Sequence, residues 1–261
     1  MEMPTALHSM IKHIITSLMV FALAWLMGCA SVRADHGTVI TAPTQITTAQ
    51  VGDYTVVSGS LYGLPGSTGQ GTHVTGNITV TGPALLQDLV VDGCIIIDRA
   101  NRIELQRVWV QHCNNDGIQM ISDPGKQQSC CAKLDHVMSI NNAGSGLHLM
   151  HTADVFISMS EFENNSHYGV ELTDSPTARI AQTDFGGNIL GGLYADDHSW
   201  LTMLSNNQYG NNRGDDLTLF GHDTIVTGQE FIGPPGACAV LYTGHQNFGT
   251  NNYGPRQLCP R

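Results

Sequence analysis

The sequence is short of charge, and shortest of positive charge. Only 13% of its 261 residues are charged, and Lys and Arg number 11 against 22 Asp and Glu, a formal net charge of −11. A nucleic-acid partner is thereby excluded, because holding phosphates takes a basic face. A strongly anionic glycan is repelled too, unless a metal or a local Arg cluster intervenes. Missing as well are the long Glu-, Lys-, Leu- and Ala-rich stretches that build amphipathic helices. No apolar run reaches the ~20 residues of a comfortable membrane span. No Cys-x-x-Cys pair is present, which argues against a structural zinc site.

What the chain has instead is glycine, 29 of them, and many Asn residues. That composition fits short strands joined by many turns. The N-terminus is a different matter. Lys12 precedes the apolar stretch "IITSLMVFALAWLM" (14–27), the layout of a secretory signal, and Met10 makes a better start than Met1. Residues 1–34 are therefore expected to be a leader. "Leu26-Met27-Gly28-Cys29" resembles a lipobox with Cys29 as the lipidated residue, while "Val32-Arg33-Ala34" resembles an ordinary cleavage site. Setting Cys29 aside leaves Cys94, Cys113, Cys130, Cys131, Cys238 and Cys259, an even number. In an exported chain an even set is a set of disulfide candidates, and Cys29 is then the one that carries lipid. The expected setting is periplasmic or outer-membrane lipoprotein, or fully secreted, with the membrane touched only through that anchor.

Beyond the leader the chain repeats itself. "NNDGIQM" (114–120), "NNAGSGLHL" (141–149), "NNSHYGVEL" (164–172), "GNILGGLYA" (187–195) and "NNRGDDLTL" (211–219) align on Gly117, Gly146, Gly169, Gly192 and Asp216. The steps are 29, 23, 23 and 24 residues. Between them recur apolar-alternating phrases such as "KLDHVMSI" (133–140), "DVFISMSEF" (154–162) and "ARIAQTDF" (178–185). A fixed period in the twenties signals a solenoid, and each period leaves room for about three strands and no helix. One coil cannot enclose a core. Stacked coils can, with like side chains piled about 4.8 Å apart. Val170 is then expected over Leu147 and under Leu193, and Leu172 between Leu149 and Ala195. The recurring Gly suits a bend where a Cβ would collide or φ is positive. The recurring Asn suits a buried ladder of amides between coils.

The pattern Asn-Asn-x-x-x-Gly-apolar-x-apolar at about 23 residues resembles the right-handed parallel β-helix, the repeat of pectate-lyase-like proteins. The resemblance implies an all-β solenoid of about seven to nine coils. It assigns the repeats to 76–245, an N-terminal cap with the first irregular strands to 35–75, and a non-strand tail to 246–261. A Cys238–Cys259 bridge would tie the tail over the last coil. The insertion "SDPGKQQSCCAK" (122–133) would be stapled by Cys94 or Cys113. For activity the resemblance is broad, since such proteins include lyases, glycoside hydrolases, epimerases, esterases, adhesins and passive periplasmic proteins.

Parity then picks out the solvent-facing strip. With Leu147, Val170 and Leu193 inward, His148, Glu171 and Tyr194 point out, flanked by Gln119 and Thr218, and a neighbouring line holds Met150, Thr173, Asp196 and Phe220. Strand spacing alone puts His148, Glu171, Tyr194 and Asp196 within about 5–10 Å of one another. Glu171 and Asp196 are the candidate acid/base pair, His148 the proton shuttle, and Tyr194 the platform for a pyranose. Gln119, Thr218 and Thr173 are the candidate substrate contacts. The expected partner is a polysaccharide, bound and cleaved by a lyase or hydrolase. The competing reading is a non-catalytic glycan- or partner-binding module. No metal site is expected, the twelve His being scattered; calcium on clustered Asp is the one cofactor left open. Fragments such as "Asn114-Asn115-Asp116-Gly117" and "Gly221-His222-Asp223" resemble polygalacturonase motifs, but their order and spacing do not.

Overall fold

The computed structural model describes residues 37–65, 71–122, 129–174, 177–220, 224–232, 238–243, 246–253 and 257–261. The leader, the lipidation at Cys29, the side chain of Cys130 and the His222 motif lie outside the described residues. Every described ladder is parallel, and no helix occurs among them. An eleven-stranded sheet runs from Thr38–Ile40 to Gln257–Pro260, and a fourteen-stranded sheet stacks beside it. A short third line joins Gln208–Gly210 to Glu230–Ile232. The architecture is a parallel β-helix.

The register is the one the repeat dictates. Ile78, Ile95, Ile118, Leu147, Val170, Leu193, Leu217 and Val240 pair in succession. All eight are fully buried. Leu172 lies between Leu149 and Ala195. Each such side chain covers the one before it, so burial accumulates only when coils stack. On the third line the pile is aromatic: Phe162, Phe185, Tyr209, Phe231 and Tyr253 stack at 4.9–6.1 Å.

The Asn doublets divide their labour. The first member, Asn141, Asn164 or Asn211, sits at φ 55–58°, in the left-handed region that Asn tolerates and where Gly187 stands in the fourth line. The second member, Asn142, Asn165, Asn188 or Asn212, is buried. Asn142, Asn165 and Asn188 each donate from Nδ2 to the Oδ1 of the next coil's Asn, at 3.0, 3.1 and 3.3 Å. The backbone N–H of the same three donates to that oxygen as well. The bend glycines are required by this ladder rather than by φ. A Cβ on Gly169 would lie 2.6 Å from the Gly192 carbonyl and 2.9 Å from the Asn188 amide.

Below Asn142 the ladder changes chemistry. The Cys113 N–H donates to Asn142 Oδ1 at 3.0 Å, and Cys113 is bonded to Cys94 one coil away. The Cys94–Cys113 bridge thus continues the amide ladder covalently. It corrects the expectation that either residue staples the 122–133 insertion. The second bridge joins Cys238 to Cys259, while Cys131 is exposed.

Both ends of the described stack are more regular than the repeat suggests. Thr38–Ile40 pairs with Tyr54–Val56, which pairs with Ile78–Val80, so the described part of the expected cap supplies coils of the same stack. The tail is strand after all. Asn247–Phe248 and Gln257–Pro260 pair with Ile225–Val226 and Cys238–Tyr242. Pro260 is tolerated because the strand is terminal, where one side of the backbone needs no ladder partner.

Candidate functional site

The structure lines up Gln119, His148, Glu171, Tyr194 and Thr218 as consecutive partners in the eleven-stranded sheet. Thr218 is nonetheless buried, whereas Gln119, His148, Glu171 and Tyr194 keep partial exposure. Thr173 pairs with Met150 one pleat along, and its hydroxyl reaches back to His148.

His148 and Glu171 are held by groups on three coils. The His148 ring meets Asp116 Oδ2 through Nδ1 and Thr173 Oγ1 through Nε2, both at 3.0 Å. In the neutral ring the Nδ1 proton faces Asp116, and Nε2 accepts from the Thr173 hydroxyl. Asp116 is fixed in turn, its Oδ1 accepting the Ser145 N–H at 2.7 Å. The Ser145 hydroxyl donates to Glu171 Oε2 at 2.7 Å. Glu171 Oε1 has no hydrogen-bond partner among the described residues and is open to a ligand.

Electrostatics reinforce the network. Burial pushes the Asp116 carboxyl upward, but the His148 hydrogen bond and the Ser145 N–H outweigh it and hold the group below its usual range. Burial depresses His148, yet the bond to Asp116 and the Glu171 charge raise it above the usual imidazole. The imidazolium is thus favoured beside two carboxylates.

Asp116 and Ser145 escaped the parity reading. They stand just before the bend glycines Gly117 and Gly146, and strict alternation would turn them away from His148. The bend at the glycine breaks alternation, as the equivalent Tyr168 shows: it is half-exposed and stacks on Tyr194 at 5.0 Å, although Gly169 and Val170 are both buried. The motif "NNDG" carried the signal for Asp116.

Asp196, the other member of the expected acid/base pair, is bonded into the turn that follows its strand. Its Oδ1 accepts the Ser199 hydroxyl at 2.6 Å and the His198 N–H at 3.1 Å, and its Oδ2 accepts the Asp174 N–H at 2.8 Å. The strand ends at Ala195, and the carboxylate caps the turn that follows. Donor atoms of Asp116, His148 and Glu171, and separately of Asp174, Asp196 and His198, come within 4.8 Å of one another. Both ring nitrogens of His148 and both oxygens of Asp196 take part in the hydrogen bonds above.

Beyond Tyr194 the strip opens into a cavity of about 470 Å³ lined by Tyr194, Asp197, Phe220, Thr243 and Arg261. Phe220 meets Tyr194 edge-on at 6.0 Å, and the Arg261 guanidinium lies 4.9 Å over the Phe220 ring. Arg261 follows the tail strand pinned by Cys259, and its N–H donates to the Tyr242 carbonyl.

Stacked parallel coils, an amide ladder and a polar strip on one sheet define a solenoid of a known class. The chain belongs to the right-handed β-helix family, whose model, a right-handed β-helix region, matches residues 86–253. No curated protein matches the sequence. Among solved structures, the A-module of the mannuronan C-5 epimerase AlgE4 of Azotobacter vinelandii aligns with a TM-score of 0.60 at 12% identity, covering 88% of this chain and 80% of that one. The AlgE6 A-module of the same organism aligns with a TM-score of 0.48 at 12% identity, over 86% of this chain and 79% of that one. PfbA, a surface adhesin of Streptococcus pneumoniae, aligns with a TM-score of 0.33 at 8% identity, over 85% and 76%. At 12% identity the likeness to the AlgE4 A-module is one of fold.

Proposed function

We propose that this protein is exported and binds a polysaccharide along the Gln119–His148–Glu171–Tyr194 strip, cleaving it by proton transfer at Glu171 and His148. One observation carries the reading. Glu171 is held by Ser145 with one oxygen left open, beside an imidazole clamped between Asp116 and Thr173. A clamped imidazole and an open carboxylate on one solvent-facing strip are the parts of general acid–base catalysis. Tyr194, stacked on Tyr168, offers an apolar surface for a sugar ring. Export is supported by the leader-like N-terminus and by two disulfides, which persist in oxidising compartments. Lipidation at Cys29 or release after cleavage completes the expected route. The reaction needs no metal in this reading.

A non-catalytic binding module is the second reading, and the shortness of the turns favours it. A single residue, His151, links the Leu147–Met150 strand to the next one, Thr152–Ser158. At that point no long loop closes over the strip, whereas catalytic clefts are commonly built from loops. The two readings part on one experiment. Glu171→Gln and His148→Gln variants are assayed for oligosaccharide binding and for reducing-end release against a glycan panel. Loss of release by ~100-fold or more with binding retained supports catalysis; binding without turnover in the parent chain supports the module.

A further inference from the structure

The charges that border the strip are nearly all of one sign. Asp116 and Glu171 lie along it, and Asp174, Asp196 and Asp197 mark its turn. Asp215 stands in the column of Tyr168 and Gly191. Two imidazoles nearby are already paired. His148 is bound to Asp116, and His198 lies 2.8 Å from Asp197 and 3.6 Å from Asp174. Among the described residues Arg261 is the one Lys or Arg lining the cavity, which Asp197 also lines, and it already covers Phe220. The phenols sense this field. Burial first, then Asp196, Glu171 and Asp197, push the Tyr194 hydroxyl up, with Arg261 pulling the other way. Burial, Glu171, Tyr194 and Asp215 raise Tyr168.

Carboxylates only accept hydrogen bonds, and sugar hydroxyls donate them. The apolar face of a pyranose packs on aromatic rings without any charge to match. A uronic acid chain, by contrast, brings a carboxylate with every residue into a field of its own sign, with a single guanidinium to offset it.

We propose that the strip and the adjoining cavity take an uncharged polysaccharide, with a neutral pyranose packed on Tyr194 and Phe220 and a hydroxyl donating to Glu171, and that uronic acid chains are refused. This rests on the glycan reading above and names its substrate class. It also separates this chain from mannuronan, the polyuronate named for its structural neighbour. Such a substrate has no carboxylate beside the carbon that a lyase deprotonates. Its cleavage is therefore hydrolysis: water gives hydroxide to the anomeric carbon and a proton to the leaving oxygen.

The test is calorimetric titration of the full chain with two sets of oligosaccharides, at low and at high salt. The neutral set holds glucan, mannan, galactan and chitin oligomers; the acidic set holds mannuronate, guluronate and galacturonate oligomers of equal length. At least one neutral oligomer is expected to bind ~10-fold tighter than any acidic one at low salt, with the gap narrowing as salt screens the strip. Phe220→Ala should weaken that neutral oligomer ~10-fold. Asp197→Asn, at an exposed position, should raise acidic binding ~3-fold. An acidic oligomer that outbinds every neutral one overturns the inference while leaving the glycan reading intact, and so does an Asp197→Asn variant with no effect on acidic binding. Silence from both sets overturns the glycan reading itself, and the inference with it.

Discussion

Removing the amide of Asn165 should cost more than removing that of its neighbour Asn164. Asn165 is 1% exposed. Its Oδ1 accepts from the Asn142 N–H at 3.1 Å and from Asn142 Nδ2 at 3.0 Å, while its Nδ2 donates to the Ser139 carbonyl at 3.0 Å. In Asn165→Ala, Asn142 Nδ2 keeps its bond to Ser139 Oγ. The Asn142 N–H is then a stranded buried donor and the Ser139 carbonyl loses one of its donors, a loss of about 1–3 kcal/mol or more. Against a typical total of about 5–15 kcal/mol that is a large share. Asn164 differs, since its φ of 55° is what the position demands. Asn164→Gly should be nearly neutral, as Gly187 in the equivalent place indicates, and Asn164→Ala should cost about 1–2 kcal/mol. Asn165→Gly should be as damaging as Asn165→Ala. Urea unfolding followed by circular dichroism measures all four. An Asn165→Ala loss below about 1 kcal/mol, or Asn164→Gly costing more than Asn165→Gly, would refute the division of labour.

The carboxyl of Glu163 is pushed up to about 7 by burial and then by the charges of Asp184 and Glu161. A carboxyl raised in the folded state favours folding while protonated, so stability should fall as pH rises from about 4.5 through about 7. Urea midpoints across that range should lose this slope in Glu163→Gln. Gly169→Ala places a methyl against the Gly192 carbonyl and the Asn188 amide, and thermal unfolding should show a loss of about 2 kcal/mol or more. Replacing Cys94 and Cys113 together by Ser should cost about 3 kcal/mol, for a bridge spanning 19 residues. A double variant as stable as the parent would show that the amide ladder alone holds those coils.

Much of this was legible because the chain states the same inward side chains repeatedly. Val170, Leu172 and Leu193 could be placed to the residue, since a period near 23 leaves a single register that buries every apolar position. The strip of His148, Glu171 and Tyr194 followed from that register. Alternation is a property of extended backbone, and it fails where the backbone turns. That is why Asp116 and Ser145, on the far side of the glycine bend, fall outside the parity reading, and why the turn-capping bonds of Asp196, just past the end of its strand, are not legible from it. Thr218 points out by parity yet is covered, because coverage depends on neighbours that parity does not describe. The tail Gln257–Pro260 carried no repeat signal, and only its ladder to Cys238–Tyr242 marks it as strand.

The column of eight inward side chains has a consequence for how such a chain can change length. Adding or deleting one residue in a strand would exchange its inner and outer side chains, while twenty-three or twenty-four would slot in as one more storey. Surviving insertions within the stack should therefore come in whole storeys or sit at the corners. Its ancestry would then be written in multiples of a coil.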